Sequence, residues 1–305
     1  MSTRILEITQ DNRYLSIHRG FIEIKESGDL IGKVPIDDIN SIIGSAHGLV
    51  YSQSLLMELA KRNIPLVVCN QAFVPVSVLW PLDGHYNQSA KIDNQLKVTQ
   101  PLKKQLWKSL VSQKIFRQGQ TLEVLGLPAG AFYQLSKKVN SGDKENLEGQ
   151  AAKRYWPLLL GKDFKRYRTG PSPNNLLNYG YIVLRSATAR AVVAGGLHPS
   201  IGLFHRNKNN PFRLVDDLME PFRPFIDLLV WKLHLQEGID ELTPDIKSRL
   251  VSILSVELES NDFTSSLLNH IQFLVRSLNK SYEEKKVLLQ YPNPSLLNLQ
   301  AILNG

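Results

Sequence analysis

The sequence predicts an α+β protein: a small N-terminal β-rich, sandwich-like domain over residues 1–80, then a large, mostly α-helical domain over 96–305. Three observations predict it. Up to Trp80, apolar residues alternate with period two between turn signals. The run Pro81-Leu-Asp-Gly-His-Tyr-Asn-Gln88 is turn-forming and opens a connecting segment over 81–95. From about Leu102, apolar residues recur every three to four positions nearly to the end.

The strands follow in order. Arg4–Thr9, Arg13–His18, Gly20–Glu26 and Leu30–Ile36 alternate, with turns at Asp11-Asn12 and Ser27-Gly28-Asp29. Ile39–Gly44 and Leu49–Tyr51 add further strand. Ser52 is placed to cap a helix running to about Arg62, because its hydroxyl can accept from an orphan first-turn amide. Ile64–Cys69 reads as a buried strand and Val74–Trp80 as another. The helical stretches are Leu102–Leu125, Gly149–Leu160, Leu176–Ala194, Leu214–Leu235 and Phe263–Leu278. There is no internal repeat, low-complexity tract or phosphate-binding glycine fingerprint.

A chain of 305 residues can bury a sizeable core, and 43% hydrophobic with 21% charged residues is ordinary for a globular protein. Net charge is +8, which favours a polyanionic partner. The charge is uneven. Lys91–Arg117 holds seven basic residues against Asp93, and Thr169–Val215 holds no carboxylate at all. Glu237–Asp262 reverses the sign, with seven acids against Lys247 and Arg249. The single cysteine, Cys69, lies in an apolar run and reads as a core residue in a reducing compartment. With neither a signal-peptide pattern nor an apolar run long enough to span a bilayer, the expectation is a cytoplasmic protein with no membrane partner.

The stretch from His205 to Pro224 carries the clearest chemistry. It sets one imidazole and three carboxylates among arginines and lysines, within an apolar helical pattern. Carboxylates with imidazole suit a divalent cation, and surrounding bases suit a phosphate backbone. Asp217 and Glu220, three apart, share a helical face, as do Asp216 and Glu220, four apart. Pro221 should kink or break the helix just after Glu220 and turn that carboxylate toward a cleft. The same acids would equally serve as ion pairs to Arg206, Arg213 and Arg223 on a solvated face. Upstream, Glu148 lies beside Gly149, Ala151 and Ala152, small residues that leave room for an ion. Its bland reading is a carboxylate favoured at a helix N-terminus. Tyr155, Trp156, Tyr179 and Tyr181 either stack on splayed bases or fill the core. The other histidines lack a carboxylate cluster nearby in sequence and read as surface or packing residues.

Four motifs in register, Glu148-Gly149-x-x-Ala-x-x-Tyr-Trp, Asn178-Tyr-Gly-Tyr-x-x-Leu-Arg185, His205 and Asp217-Leu-Met-Glu-Pro-Phe-Arg-Pro224, resemble the CRISPR-associated adaptation integrases. These are metal-dependent endonucleases that insert new spacers into CRISPR arrays. The likeness spans roughly residues 1–235, with the last seventy or so matching less well. It implies catalytic residues Glu148, His205, Glu220 and Asp217, with the first three holding Mg²⁺ or Mn²⁺ and Asp217 as a close helper. Some family members carry aspartate where this chain has Glu220. It implies double-stranded DNA (prespacer and CRISPR repeat) as substrate, a homodimer, and a small second CRISPR-associated protein as partner. The β-rich domain would then serve dimerisation and DNA-end contacts. Arg206, Lys208, Arg166 and Arg168 are the candidate DNA contacts. Two other readings use the same residues: a structure-specific metal nuclease that does not join ends, and a non-catalytic DNA-binding scaffold.

Overall fold

The computed structural model describes residues 4–70, 75–79, 88–167, 169–259 and 264–304. Short strands surround one helix in the N-terminal part: β1 (Arg4–Ile8), β2 (Arg13–His18), β3 (Phe21–Glu26), β4 (Asp29–Pro35), β5 (Ile39–Gly44), β6 (Val50–Tyr51), α1 (Gln53–Lys61), β7 (Leu66–Cys69) and β8 (Pro75–Leu79). They form two four-stranded sheets, ordered β4-β3-β2-β6 and β1-β5-β7-β8. Two tight turns set the register of the first. Arg19-Gly20 joins β2 to β3 and Ser27-Gly28 joins β3 to β4, all four residues having positive φ. Such two-residue loops match the twist of the strands they connect. The Ser52 hydroxyl accepts from Leu55 N and starts α1 as its position predicts. Leu15 and Ile22 from one sheet, Ile8, Ile42 and Leu66 from the other, and Leu55 and Leu59 of α1 share one core.

The helical part comprises α2 (Gln88–Lys97), α3 (Gln100–Val124), α4 (Gly130–Lys138), α5 (Leu147–Leu160), α6 (Asn174–Ala194), α7 (Arg213–Met219), α8 (Arg223–Trp231) and α9 (Pro244–Ser252). A short hairpin, β9 (Glu257–Glu259) with β10 (Thr264–Ser266), precedes α10 (Leu267–Glu284) and α11 (Leu296–Asn304). α6 is buried on most sides, and α7, α8, α9, α10 and strand β5 pack around it. At Gly180 a Cβ would meet Ile226 Cγ2 at 2.4 Å, so this glycine lets α6 and α8 approach. Tyr179 of α6 donates to Glu7 of β1, and Ser45 Oγ donates to the same carboxylate at 2.8 Å. That pair ties the helical part to the strands.

Two differences from the sequence reading have physical reasons. The expected connecting segment 81–95 is partly helix, since α2 begins at Gln88; its first part, to residue 87, lies outside the described residues. α2 is mostly polar, but Gln95 is buried, donates to His198 O and Ile201 O at 2.9 Å, and accepts from His198 N. Its amide satisfies a loop about a hundred positions away, which no local pattern reveals. The β9–β10 hairpin interrupts a region read as wholly helical, because three-residue arms are too short to show alternation. Leu214–Leu235 breaks where Pro221 predicts: a 3₁₀ turn over Glu220–Phe222 separates α7 from α8, and a π turn follows at Lys232–Gln236. Pro221 lacks the amide that a continuous α-helix needs there.

Candidate metal centre

Glu148 is set by the start of α5. Asp143 accepts from Leu147 N at 2.8 Å and Glu148 N at 3.1 Å, and Asn146 accepts from Gly149 N at 3.1 Å. These bonds satisfy the first-turn amides, so the Glu148 carboxylate is free to face α3. Glu220 is set by the 3₁₀ turn and is almost fully buried. Lys114 of α3 reaches both. Its Nζ lies 2.5 Å from Glu148 Oε1 and 2.6 Å from Glu220 Oε2. Arg223 Nη2 covers the other Glu220 oxygen at 3.0 Å. Burial by itself pushes the Glu220 carboxyl up, but Arg223 and Lys114 overcome this and hold it below its ordinary value. The Glu220 carboxylate and the Lys114 ammonium therefore stay ionised in spite of burial.

His205 is set by Asp217, which is fully buried. Its Oδ2 accepts from Leu203 N at 2.6 Å and Phe204 N at 3.1 Å, and its Oδ1 from His205 N at 3.2 Å. Oδ1 also lies 2.5 Å from His205 Nδ1. One carboxylate thus folds the loop and orients the ring, leaving Nε2 as the ring nitrogen available to an ion. The bond to Asp217 raises the His205 pKa against the effect of burial, so an incoming cation competes with a proton there. Gly202 closes the arrangement, since a Cβ at that position would lie 3.0 Å from Asp217 Oδ2 and 2.9 Å from Arg213 Cβ.

Among the described residues, no group of three or more His, Cys, Asp and Glu side chains sits close enough to hold a metal ion. Glu148, His205 and Glu220, expected to converge on one point, are placed in two contacts. Glu148 meets Glu220 through Lys114, and His205 meets Asp217. The reason is electrostatic: two neighbouring carboxylates need a cation between them, and the ammonium fills that place. The residues nonetheless fit a divalent ion. Lys114 bridges two carboxylate oxygens as a cation does, and Glu220 Oε2, although 2.6 Å from Nζ, has no aligned hydrogen-bond donor. Two carboxylates and an imidazole are a donor set suited to Mg²⁺ or Mn²⁺. Lys114 was visible only as one base in the Lys91–Arg117 run.

The remaining candidates divide. Asp216 accepts from Arg185 at 2.6 and 2.9 Å and from Asn210 at 2.7 Å, an ion pair beside the site. The motif from Asn178 to Arg185 is therefore structural: Arg166 bonds Asn178, Tyr179 bonds Glu7, and Tyr181 donates to Asp227 at 2.5 Å. Tyr155, Tyr179 and Tyr181 are core residues and cannot stack on bases as placed. Arg166 is turned inward, onto Asn174, Asn178 and the Tyr181 ring. Arg168 lies outside the described residues. Arg206 and Lys208 are exposed. His234, read as a surface or packing residue, has its Nδ1 2.8 Å from Asp240 Oδ1.

Beside His205 opens a cleft of about 520 Å³, lined by Lys103, Lys104, Arg206 and Arg213 and by no carboxylate. Burial and the Arg213 charge lower the Lys103 pKa, against the opposing pull of the Asp217 carboxylate. Phe204 on the same wall is 43% exposed and stacks on Trp107, with ring centroids 4.3 Å apart.

The family model for CRISPR associated protein Cas1 matches residues 6–251. The chain belongs to the Cas1 family. The CRISPR-associated endonuclease Cas1 of Neisseria meningitidis serogroup C (strain 8013) is 36% identical over 296 residues, which cover 96% of each protein. Similarity to that family member extends past residue 251, into the part where the motif resemblance is weakest. A solved structure titled as a casposase bound to integration product has a TM-score of 0.78 at 19% identity, over 95% of this chain and 93% of that one. A Cas6-RT-Cas1–Cas2 complex gives 0.76 at 17% identity, over 96% of this chain and 36% of that one. Both share the Cas1 fold described above.

Proposed function

We propose that Glu148, His205 and Glu220 hold one divalent cation, Mg²⁺ or Mn²⁺, and that the cleft of Lys103, Lys104, Arg206 and Arg213 carries DNA phosphates up to it. As a Cas1 protein, the chain is a metal-dependent DNA endonuclease and integrase of CRISPR spacer acquisition. The observation that carries the site assignment is the Lys114 ammonium within 2.6 Å of both Glu148 and Glu220, beside an oriented imidazole and a cation-lined cleft.

Joining a prespacer to a repeat needs no protein nucleophile, because the 3′-hydroxyl of the incoming DNA attacks a target phosphodiester. One phosphodiester is exchanged for another, so no external energy source enters. The bound cation supplies Lewis acidity, lowering the pKa of that hydroxyl and offsetting negative charge at phosphorus and on the leaving oxygen. Asp217 keeps the imidazole in the tautomer and orientation that present Nε2. Lys103, Lys104, Arg206 and Arg213 hold the flanking phosphates, and Arg223 holds Glu220 in place.

The rest of the assembly extends the same reading. Residues 1–80 serve dimerisation and DNA-end contacts, since the edge strand β4 exposes Leu30 and Ile31 and an unpaired edge needs covering. The helical part carries the chemistry. A second, small CRISPR-associated protein bridges two such dimers, by extension from the complex that pairs Cas1 with Cas2. No helix among the described residues is long and apolar enough to cross a membrane, and the free Cys69 suits a reducing cytoplasm.

The test is a strand-joining assay with a labelled 3′-hydroxyl duplex and a repeat target. Mg²⁺ or Mn²⁺ should support covalent joining, and chelator should stop it. Cleavage without joined product would favour the structure-specific nuclease, and activity indifferent to chelator would remove the metal from the account.

A further inference from the structure

We propose that Lys114 is an internal counter-ion that competes with the divalent cation for Glu148 and Glu220 and thereby ties metal loading to the arrival of DNA. The inference rests on the reading that these two carboxylates are metal ligands. Lys114 projects from the middle of α3, and its side chain is 13% exposed. Its ammonium bridges one oxygen of each carboxylate, and Arg223 takes the remaining Glu220 oxygen. Two carboxylates thus face two monovalent cations, and the centre is already neutral.

With Lys114 in place, a divalent ion entering between Glu148 and Glu220 would bring four positive charges against three negative ones, the third being Asp217 behind His205. Unscreened like charges repel strongly there. Relief comes in two linked ways. The four-carbon stem of Lys114 is flexible and can carry the ammonium out of the bridge. Among the described residues no carboxylate lines the cleft beside His205, where Lys103, Lys104, Arg206 and Arg213 gather positive charge. The partner that fits is a phosphate oxygen of DNA. Metal and DNA should therefore bind with positive coupling, and the coupling is reciprocal. Before either arrives, Lys114 holds together the buried Glu220 and the partly exposed Glu148, which would otherwise repel.

The experiment is a Mn²⁺ titration of the intact protein, followed by the electron paramagnetic resonance of free Mn²⁺. It is run with and without a duplex whose 3′ ends are dideoxy and cannot join. Wild type should bind Mn²⁺ weakly alone and about tenfold more tightly with the duplex. Lys114→Gln should bind Mn²⁺ about tenfold more tightly than wild type without DNA and lose most of the coupling. Lys114→Arg, which keeps the charge, should stay near wild type, and Lys114→Met serves if the glutamine variant folds poorly. A purely structural lysine predicts the opposite sign, since its loss would loosen the ligands and weaken Mn²⁺ binding. Lys114→Gln binding no more tightly than wild type, while Glu148→Ala loses Mn²⁺, would overturn this inference alone. Unchanged Mn²⁺ affinity in Glu148→Ala would overturn the ligand assignment and the inference with it.

Discussion

Glu220 and Asp227 are buried carboxylates seven positions apart on neighbouring helical segments, and their surroundings have opposite effects. Glu220 faces Lys114 and Arg223 and is held below its ordinary pKa in spite of burial. Asp227 faces the hydroxyl of Tyr181, with Tyr155 beside it, and burial pushes its pKa up to about 6. Burial is common to both, so burial does not mark the reactive centre. The partners do: formal positive charge on one side, neutral hydroxyls on the other. A carboxylate kept ionised beside a displaceable ammonium is ready for a metal, whereas one held by tyrosines ties three helices together.

The largest effect that would test the comparison is loss of either bridging carboxylate. Glu148→Ala and Glu220→Ala should bring strand joining to background in the labelled-duplex assay, with most DNA affinity retained, because the cleft cations supply that affinity. Glu220→Ala should also lower thermal stability, since removing one partner of a buried ion pair costs about 3–5 kcal/mol. Near-normal joining by either variant would put the chemistry elsewhere.

Asp217→Asn comes next. Asp217 holds three backbone amides and the imidazole, and substitution of such a supporting group typically lowers metal affinity or activity by about 10–100-fold. A Mn²⁺ titration and a strand-joining rate measured together should fall in parallel. A fully silent Asp217→Asn would mean that His205 needs no orientation, and with it no ion to face.

These residues were readable in the chain to different depths. The strands showed themselves because Gly28 lies in a turn that needs positive φ and because Leu15 and Ile22 sit in alternating apolar runs, whereas Gly20, read as the start of a strand, lies in the β2–β3 turn. Glu148, His205, Asp217 and Glu220 stood out by residue type and by motif. What sequence could not show was pairing across long separations. Lys114 reads as one base among seven, and only the packing of α3 against α5 and the 3₁₀ turn puts it between Glu148 and Glu220. Gln95 reads as a polar linker residue until the loop at His198–Ile201 is seen to need its amide. Tyr179 and Tyr181 read as possible base-stacking rings, and only the packing of α6 shows them to be core. Local period reports which face is apolar; it is silent on which polar group answers which.

The cleft gives a smaller, graded effect. Lys103 and Lys104 line it together with Arg206, whereas Lys208 is exposed but is not part of its wall. Each phosphate contact contributes about −0.9 to the slope of log affinity against log salt on duplex DNA. Lys103→Gln with Lys104→Gln should flatten that slope by nearly two contacts, and Arg206→Gln with Lys208→Gln by less, with sequence preference unchanged in both. A salt titration of duplex binding separates the two pairs. Equal slopes in wild type and the Lys103/Lys104 variant would mean that the cleft is not the DNA path.

The smallest effect on joining should come from Asp227→Asn, and it is the sharpest test of the contrast with Glu220. Because its folded pKa is raised from 3.8 to about 6, Asp227 holds its proton more tightly in the folded protein than in the unfolded chain. Its contribution to stability is therefore complete below about pH 4 and is lost as pH rises through about 6. Two pKa units correspond to about 3 kcal/mol across that window, an order-of-magnitude figure for a buried group. Glu220, with a lowered pKa, acts with the opposite sign: its contribution is present above the usual carboxylate range and is lost as pH falls. Denaturant unfolding of wild type between pH 4 and 7 should carry the Asp227 component, and Asp227→Asn should remove it while Mn²⁺ affinity and joining stay near wild type. A drop in Mn²⁺ affinity in Asp227→Asn would show that the two carboxylates act as one network through Arg223, which lies 4.8 Å from the Tyr181 ring and 3.0 Å from Glu220. The partner-based distinction between them would then fail.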